Sequence, residues 1–445
     1  MKNHFKLFMS YVLPSIIGML VVGSYSIVDS IFIGQYGGKV GLAAVSLTWP
    51  LVMLFGALGD MLGTGTGILI SQSRGAGHLS KARTLFGNMF FLQLLVCLIT
   101  TIPCAYYLKD ILVFFGADET LLPIAYPYAV ILVYGSFAAM LALGLGSVIR
   151  NDGRPTFAMI ITSVSLILNL ILDYVFIFIL NTGLSGAAWA TLVAQLVGAL
   201  VGLCYFASPW TSLRYGKDMW KIKSGMFNRI LISGVPTLGT QLSIIGMLFL
   251  HNYQSLKYGG VDGLAVYTFI GAIESLGSLF MTGLSLGIQP LVAYLYGQQK
   301  FKEQNIIGNM GYIFAFLSGI VLMCVSVFGR YTFPTWFNLS GDVARIASHG
   351  LLISSTAFVL LGIIRVAGFY YQATGKIKEA SFLIYGDACF ILPLCLFILP
   401  VWFGLDGVWL AMPVSRIFLF GYVLYLWFRN KNLTSLLKFC FKRGL

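Results

Sequence analysis

Charge is what this chain has least of. Only 10% of its 445 residues are Asp, Glu, Lys or Arg, against roughly 25% in an ordinary soluble domain. That shortage excludes a soluble enzyme, a nucleic-acid binder and a disordered scaffold. Histidine is scarcer still, with four residues (His4, His78, His251 and His349) and no H-E-x-x-H pair, so zinc hydrolysis has no carrier. No G-x-x-x-x-G-K-[ST] loop exists either: Gly38-Lys39, Gly216-Lys217 and Gly375-Lys376 are each followed by the wrong residue. ATP hydrolysis is thereby excluded, and the chain reads as no enzyme and as needing no cofactor. The seven cysteines are odd in number and lack any C-x-x-C spacing. Most lie in apolar runs (Cys97, Cys104, Cys204, Cys324, Cys389, Cys395), where they read as small packing residues, with no metal or disulfide role.

What fills the sequence instead is apolar. Hydrophobic residues make up 58% of it, in runs of about 20 residues, the length that spans a bilayer core of roughly 30 Å as helix. The expected fold class is all-α, a polytopic membrane protein with twelve transmembrane helices. Hydropathy places them near 8–33, 42–72, 81–106, 120–146, 156–180 and 186–207, then 226–255, 264–297, 303–328, 343–372, 379–400 and 406–428. Met1 to Lys6 resembles the opening of a signal peptide. The apolar run continues to Ile33, too long for a signal core, so it is expected to stay as the first span. The net charge of +13 reads as orientation rather than as affinity for an acidic partner. With the N-terminus inside, 21 of the 28 basic residues fall on inner segments, five on outer loops, and two (Arg365 and Arg416) within spans. Both termini are therefore expected to be cytoplasmic, in a multi-pass protein of the plasma (inner) membrane.

The chain also repeats itself. Tyr36-Gly37-Gly38 with Gly41-Leu42-Ala43 recurs as Tyr258-Gly259-Gly260 with Gly263-Leu264-Ala265. At the same offset Pro14 meets Pro236, Gly65 meets Gly287, Gly75 meets Gly297 and Gly153 meets Gly375; one residue of slip later, Gly186 meets Gly407 and Ala190 meets Ala411. Register held across six helices implies two six-helix halves. Six is even, so both halves share one orientation, which is a transporter architecture. The expected organisation is an N-terminal lobe over 1–207, a cytoplasmic linker over 208–225, a C-terminal lobe over 226–428 and a basic cytoplasmic tail over 429–445.

These residues carry a family resemblance. Arg150-Asn151-Asp152-Gly153, then Pro155, Met159, Asn169 and Asp173, then Gly183, Gly186-Ala187-Ala188 and Thr191, resembles the first-half signature of the MATE (multidrug and toxic compound extrusion) transporters. Pro14 and Asp29 in helix 1 fit it, as do Gln289-Pro290 and Gly297 in helix 8. The resemblance implies ion-driven efflux by alternating access between two lobes forming a V. The NorM-like branch carries acidic residues in helices 7 and 10. Here helix 7 offers Gln241 and Gln254, and helix 10 offers Arg365, so the resemblance is to the DinF-like branch.

Five carboxylates lie within the expected spans: Asp29, Asp60, Asp173, Glu274 and Asp387. A charge at mid-bilayer costs about 2.5–3.5 kcal/mol on insertion scales, so such residues usually face a cavity or a partner. Asp29, Asp173 and Thr191 all fall near the outer ends of their helices, and Asn169 sits four residues before Asp173, on the same face. Two carboxylates, an amide and a hydroxyl at one depth suit a hard cation such as sodium, or a shared proton. The resemblance makes Asp29, Asn169, Asp173 and Thr191 the coupling site; a carboxylate that merely reaches interfacial water is the competing reading. Their second-half counterparts His251, Ile391 and Cys395 have lost the carboxylates, which points to an ion site in the first lobe only. His251 could titrate near neutral pH, but a lone histidine near a helix end reads first as an interfacial side chain. Pro14 is expected to permit a bend in helix 1, which the resemblance links to protonation, a static kink being the alternative. Tyr25, four residues before Asp29, and Glu274 are candidates for lining a substrate cavity. Asp60 and Asp387 have Arg365 and Arg416 as expected partners.

The function expected from all this is a secondary antiporter, acting as a monomer, that exports amphipathic or cationic small molecules in exchange for protons or sodium. A lipid or lipid-linked glycan flippase is the alternative, although it predicts more intramembrane arginine. A channel or a sensor is a further one. The charged signature that a major-facilitator carrier shows between helices 2 and 3 is missing, with Ser73-Arg74-Gly75-Ala76-Gly77 in its place.

Overall fold

The computed structural model of the protein describes residues 2–337 and 339–429. The predicted basic tail lies outside the described residues beyond Arg429. Among those residues there is helix and no strand. Nine helices are long and apolar enough to cross a bilayer, and a tenth span is the pair Leu122–Tyr134 and Ser136–Asn151, bent by 51°. Two of the nine, Lys2–Gly75 and Ser224–Gly297, run for 74 residues each. Helix of that length covers about 110 Å at 1.5 Å per residue, several times the bilayer core. Each is interrupted by one non-helical glycine, Gly38 (φ 56°, ψ −148°) and Gly260 (φ 60°, ψ −153°), so each holds two spans and the total is twelve. We number them α1 (2–37), α2 (39–75), α3 (Leu79–Tyr106), α4 (the bent pair), α5 (Pro155–Ile179), α6 (Leu184–Ala207), α7 (224–259), α8 (261–297), α9 (Phe301–Gly329), α10 (Gly341–Ala373), α11 (Ile377–Phe403) and α12 (Leu405–Arg429).

The sequence repeat is also a repeat of backbone conformation. Gly38 and Gly260 adopt nearly the same dihedrals, as do Gly183 (φ 69°, ψ −153°) and Gly404 (φ 56°, ψ −134°). Those values lie where a Cβ is strained, which is why the chain spends glycine at each matching turn.

The chain divides into two compact units, Ile17–Leu238 and a second made of Met1–Ile16 with Gly239–Leu445. The divisions fall inside α1 and α7, each just past one of the matched prolines, Pro14 and Pro236, and not in the 208–225 linker. Close backbone packing accounts for the assignment. In the second unit a Cβ on Gly283 would stand 2.6 Å from Cα of Ile16, and one on Gly287 2.6 Å from Cα of Val12. In the first, a Cβ on Gly65 would stand 2.8 Å from the backbone nitrogen of Gly234. Small residues let helices approach where lipid supplies no hydrophobic drive between them. The same device joins α2 to α4: Gly59 abuts the backbone of Met140 (2.6 Å to Cα), and Gly63 that of Gly144.

The 208–225 segment is docked on the first unit. Asp152 accepts hydrogen bonds from the hydroxyls of Tyr205 (2.7 Å), Thr211 (2.7 Å) and Ser212, and Arg74 adds an ion contact at 3.5 Å. Asn88 donates to the Lys221 carbonyl (2.9 Å) and accepts from the Lys223 amide (2.8 Å). Lys221 (2.6 Å) and Ser80 (2.8 Å) both donate to Asp218, and these bonds hold its carboxyl below the ordinary carboxylate range.

Candidate coupling site in the first unit

α5 is an inverted amphipathic helix. Its exposed stripe is Ile160, Val164, Ile167 and Ile171, each about half exposed, the pattern of a lipid-facing surface. Its buried residues include the polar Asn169 and Asp173. Directly after Asp173 the helix widens into a π-helical turn, Tyr174–Ile179, a local distortion that is frequent at functional sites. The turns between α1 and α2 and between α5 and α6 meet at one end of the unit. A Cβ on Gly37 would stand 3.1 Å from Cδ1 of Leu184, and one on Gly183 3.5 Å from the Tyr36 hydroxyl. That contact brings Asp29 and Asp173 to the same level.

Between these helices is a cavity of about 350 Å³, within the range of small-molecule sites. Tyr25, Asp29, Asn169 and Thr191, four of the residues singled out from sequence, line it. Asp173, the fifth, is fully buried beside the lining, with Asp29, Tyr25 and Tyr128 as its charged and polar neighbours. Apart from the neighbouring Asp29 carboxyl, neither carboxylate oxygen of Asp173 has a hydrogen-bond partner among the described residues, and neither polar atom of the Asn169 amide has one. A buried polar atom without a partner costs roughly 1–3 kcal/mol, and more if charged. Four in one place mark a site built to be completed by something else: a proton, a cation or water. The donor set of carboxylates, amide and hydroxyl is oxygen-rich and suits a hard cation as well as a proton.

Two aromatic lining residues carried no sequence signal. Tyr128 on α4 and Trp49 on α2 face the cavity, yet aromatics in apolar runs point equally often to lipid, as the exposed Tyr134 and Trp189 do. Ser165 and Gln195 also line it. Helical spacing could have found them, since Ser165 is four residues before Asn169 and Gln195 four after Thr191.

The remaining candidates lie elsewhere. Pro14 belongs to the other unit, and the backbone of α1 stays helical through it. Glu274 lies on α8 of that unit, in electrostatic range of Arg416 and Tyr267, and lines neither this cavity nor the one around Arg365. His251 is not an interfacial side chain: it is buried, its Nδ1 lies 2.9 Å from the Met247 carbonyl, and its ring stacks on Tyr267 at 4.9 Å. Arg416 takes Asp387 as its partner. Asp60 pairs with neither Arg365 nor Arg416. It accepts from Thr64 (3.1 Å) and Ser147 (3.2 Å), and Arg150 donates to Ser147 (2.6 Å). Arg150, in sequence part of a helix-end motif, is here a partly buried cation of that network.

The second unit lacks an equivalent cluster for a physical reason. Of the counterpart positions, Cys395 belongs to its apolar core, and Met247, Ile391 and Met412 pack against that core. The rest of the lining has diverged as well: Met247, Asp387 and Arg416, the counterparts of Tyr25, Ser165 and Gln195, line a smaller cavity of about 50 Å³ in the second unit.

A family model described as MatE matches residues 14–175 and 236–396, the two repeats in turn. The chain belongs to the MatE family. Among curated relatives it is similar to the multidrug export protein MepA of Staphylococcus aureus, 28% identical over 425 residues covering 93% of this chain and 91% of that protein. MepA of Staphylococcus haemolyticus is 27% identical over 425 residues, covering 93% and 90%. Among solved structures it resembles a multidrug resistance MATE family transporter of the MOP superfamily in an outward-facing conformation (24% identity, TM-score 0.90, 97% of this chain and 96% of that one). It also resembles a MOP superfamily transporter from Pyrococcus furiosus (24% identity, TM-score 0.88, again 97% and 96%). The MatE fold thus accounts for essentially the whole described chain.

Proposed function

We propose that the protein is a secondary antiporter of the plasma membrane, of the DinF-like branch, with both termini cytoplasmic. It exports amphipathic, often cationic small molecules by alternating access, driven by protons or sodium entering at Asp29 and Asp173. The observation that carries this reading is the set of unpartnered atoms on Asn169 and Asp173 beside Asp29, at the wall of a cavity of about 350 Å³. Membership of the MatE family and likeness to the MepA export proteins support the direction of transport. Entry of the ion neutralises Asp29 or Asp173 or bridges them, and with Asn169 and Thr191 completes the donor set. A change in charge at this wall then alters the cavity's affinity for a cationic substrate. Tyr25 and Tyr128 supply aromatic faces for such a cation. Pro14, two residues before α1 passes from one unit to the other, is placed to bend that helix in response. In proteoliposomes, Asp29→Asn and Asp173→Asn are each expected to abolish accumulation of a cationic dye against its gradient. If both variants still accumulate it, coupling lies elsewhere; dye that equilibrates without accumulating would indicate a channel.

A further inference from the structure

The second unit holds a charge cluster that the coupling reading leaves unused. Asp387 opens a π-helical turn in α11 (Asp387–Ile391) and is buried against Arg416 of α12, itself buried. Glu274 is in electrostatic range of the same Arg416. Asp387 is in electrostatic range of Arg365 of α10 as well, but forms its ion pair with Arg416. Arg365 has no ion pair among the described residues, and its one hydrogen bond runs to the Ser278 hydroxyl at 3.3 Å. His251 does not compensate it, since that ring is engaged with the Met247 carbonyl and Tyr267.

Arg365, Arg416 and Asp387 line a cavity of about 50 Å³ with Ser243, Gly368 and Phe369. It has room for a carboxylate or a halide and none for a whole drug-sized molecule. Two buried polar atoms in this cluster are unsatisfied, Nε of Arg416 and Oδ1 of Asp387. An N–H with nothing to donate to, beside a guanidinium holding one long hydrogen bond, is an incomplete set of donors. Two guanidinium groups, Arg365 and Arg416, line this cavity against the single carboxylate of Asp387, so its charged lining is net positive. Arginine is also the residue whose planar fork of donors matches a carboxylate.

We infer that the Arg365 cavity is a binding site for a small anionic group, either the carboxylate of an acid-bearing substrate or a free halide. The carboxylate source rests on the export reading above; the site itself does not. A thermal-melting measurement on the intact detergent-solubilised protein tests the site alone. Sodium chloride and sodium acetate are titrated against sodium sulfate at matched ionic strength, for wild type, Arg365→Lys and Arg365→Gln. Ligand that binds only the folded state raises Tm, here by about 3 °C at saturation. The rise is expected in wild type, in part in Arg365→Lys, and not in Arg365→Gln. Efflux of rhodamine B and of its ethyl ester from proteoliposomes then separates the sources, because the two dyes differ in one carboxylate. If the substrate supplies it, Arg365→Gln slows the free acid on the order of tenfold and leaves the ester within about twofold. If a halide occupies the site, replacing chloride by sulfate slows both dyes in wild type and neither in Arg365→Gln. The inference is overturned if chloride and acetate stabilise wild type and Arg365→Gln equally while both dyes respond alike. Loss of all dye efflux in wild type, with the Tm response intact, would sink the export reading and leave the anion site standing.

Discussion

Asp173 is held with no donor beside it other than the carboxyl of a second aspartate, Asp29, and next to an unpartnered amide. Such a residue works against stability, since burying polar or charged groups without compensation is costly. Replacing Asp29 or Asp173 by Asn removes a charge while nearly preserving shape. The expected result is an unchanged or raised Tm, by up to ~4 °C, together with lost ion-driven efflux. A variant that loses efflux only because it melts at lower temperature would contradict a coupling role. Asn169→Ala deletes the amide and is expected to lower efflux by about tenfold. This part of the site was legible because polar residues in an apolar run are conspicuous and the helical period groups them. Trp49 and Tyr128 were not, since an aromatic residue facing a cavity has the same neighbours in sequence as one facing lipid. Arg150 was missed for a different reason: proximity to a helix end suggested cytoplasm, whereas its guanidinium folds back on Ser147 and the Asp60 network.

Helices and connections carry their own consequences. The α2–α4 crossing depends on Gly59 and Gly63 meeting the backbones of Met140 and Gly144. Gly63→Leu forces those backbones apart and should destabilise the first unit by ~3 kcal/mol or more, seen as a fall in Tm. The 208–225 segment was legible as a connection but not as a docked one, because its anchors, Asp152 and Asn88, are distant in sequence. Asp152→Ala strips three hydroxyls of their acceptor and leaves Arg74 without its ion contact. Amide exchange across 208–223 is expected to rise by about a hundredfold in that variant; unchanged protection would show that the remaining anchors, Asn88 and Ser80, hold the segment without it. At Asp218 the sign with pH is fixed by its depressed carboxyl. The bonds from Lys221 and Ser80 contribute fully above the ordinary carboxylate value and are lost as pH falls through the lower folded value. Amide protection around Trp220 should therefore persist at pH 5 and decline only below about pH 4. Asp218→Asn should remove that decline.

The whole chain is one six-helix plan used twice and charged differently each time. Its glycine turns match in position and dihedral angle, which is why the repeat could be read from sequence: strained backbone tolerates little besides glycine. The chemistry has diverged. The first unit keeps an incomplete acidic cluster on its cavity, while the second places apolar residues at the counterparts of Asn169 and Asp173 and sets the Asp387–Arg416 pair at the counterparts of Ser165 and Gln195. On the antiport proposal, an acidic cluster confined to one unit provides a single ion pathway per cycle. Inward passage of one charge is worth about 2.3 kcal/mol per 100 mV, enough for roughly fifty-fold accumulation of a substrate. Dye-dependent ion movement in proteoliposomes, followed as internal pH and as sodium uptake, tests that account most directly. Wild type is predicted to couple export to uptake of one of the two ions, and Asp29→Asn and Asp173→Asn to export nothing against a gradient and move no ion. Coupled uptake surviving in either variant would contradict it.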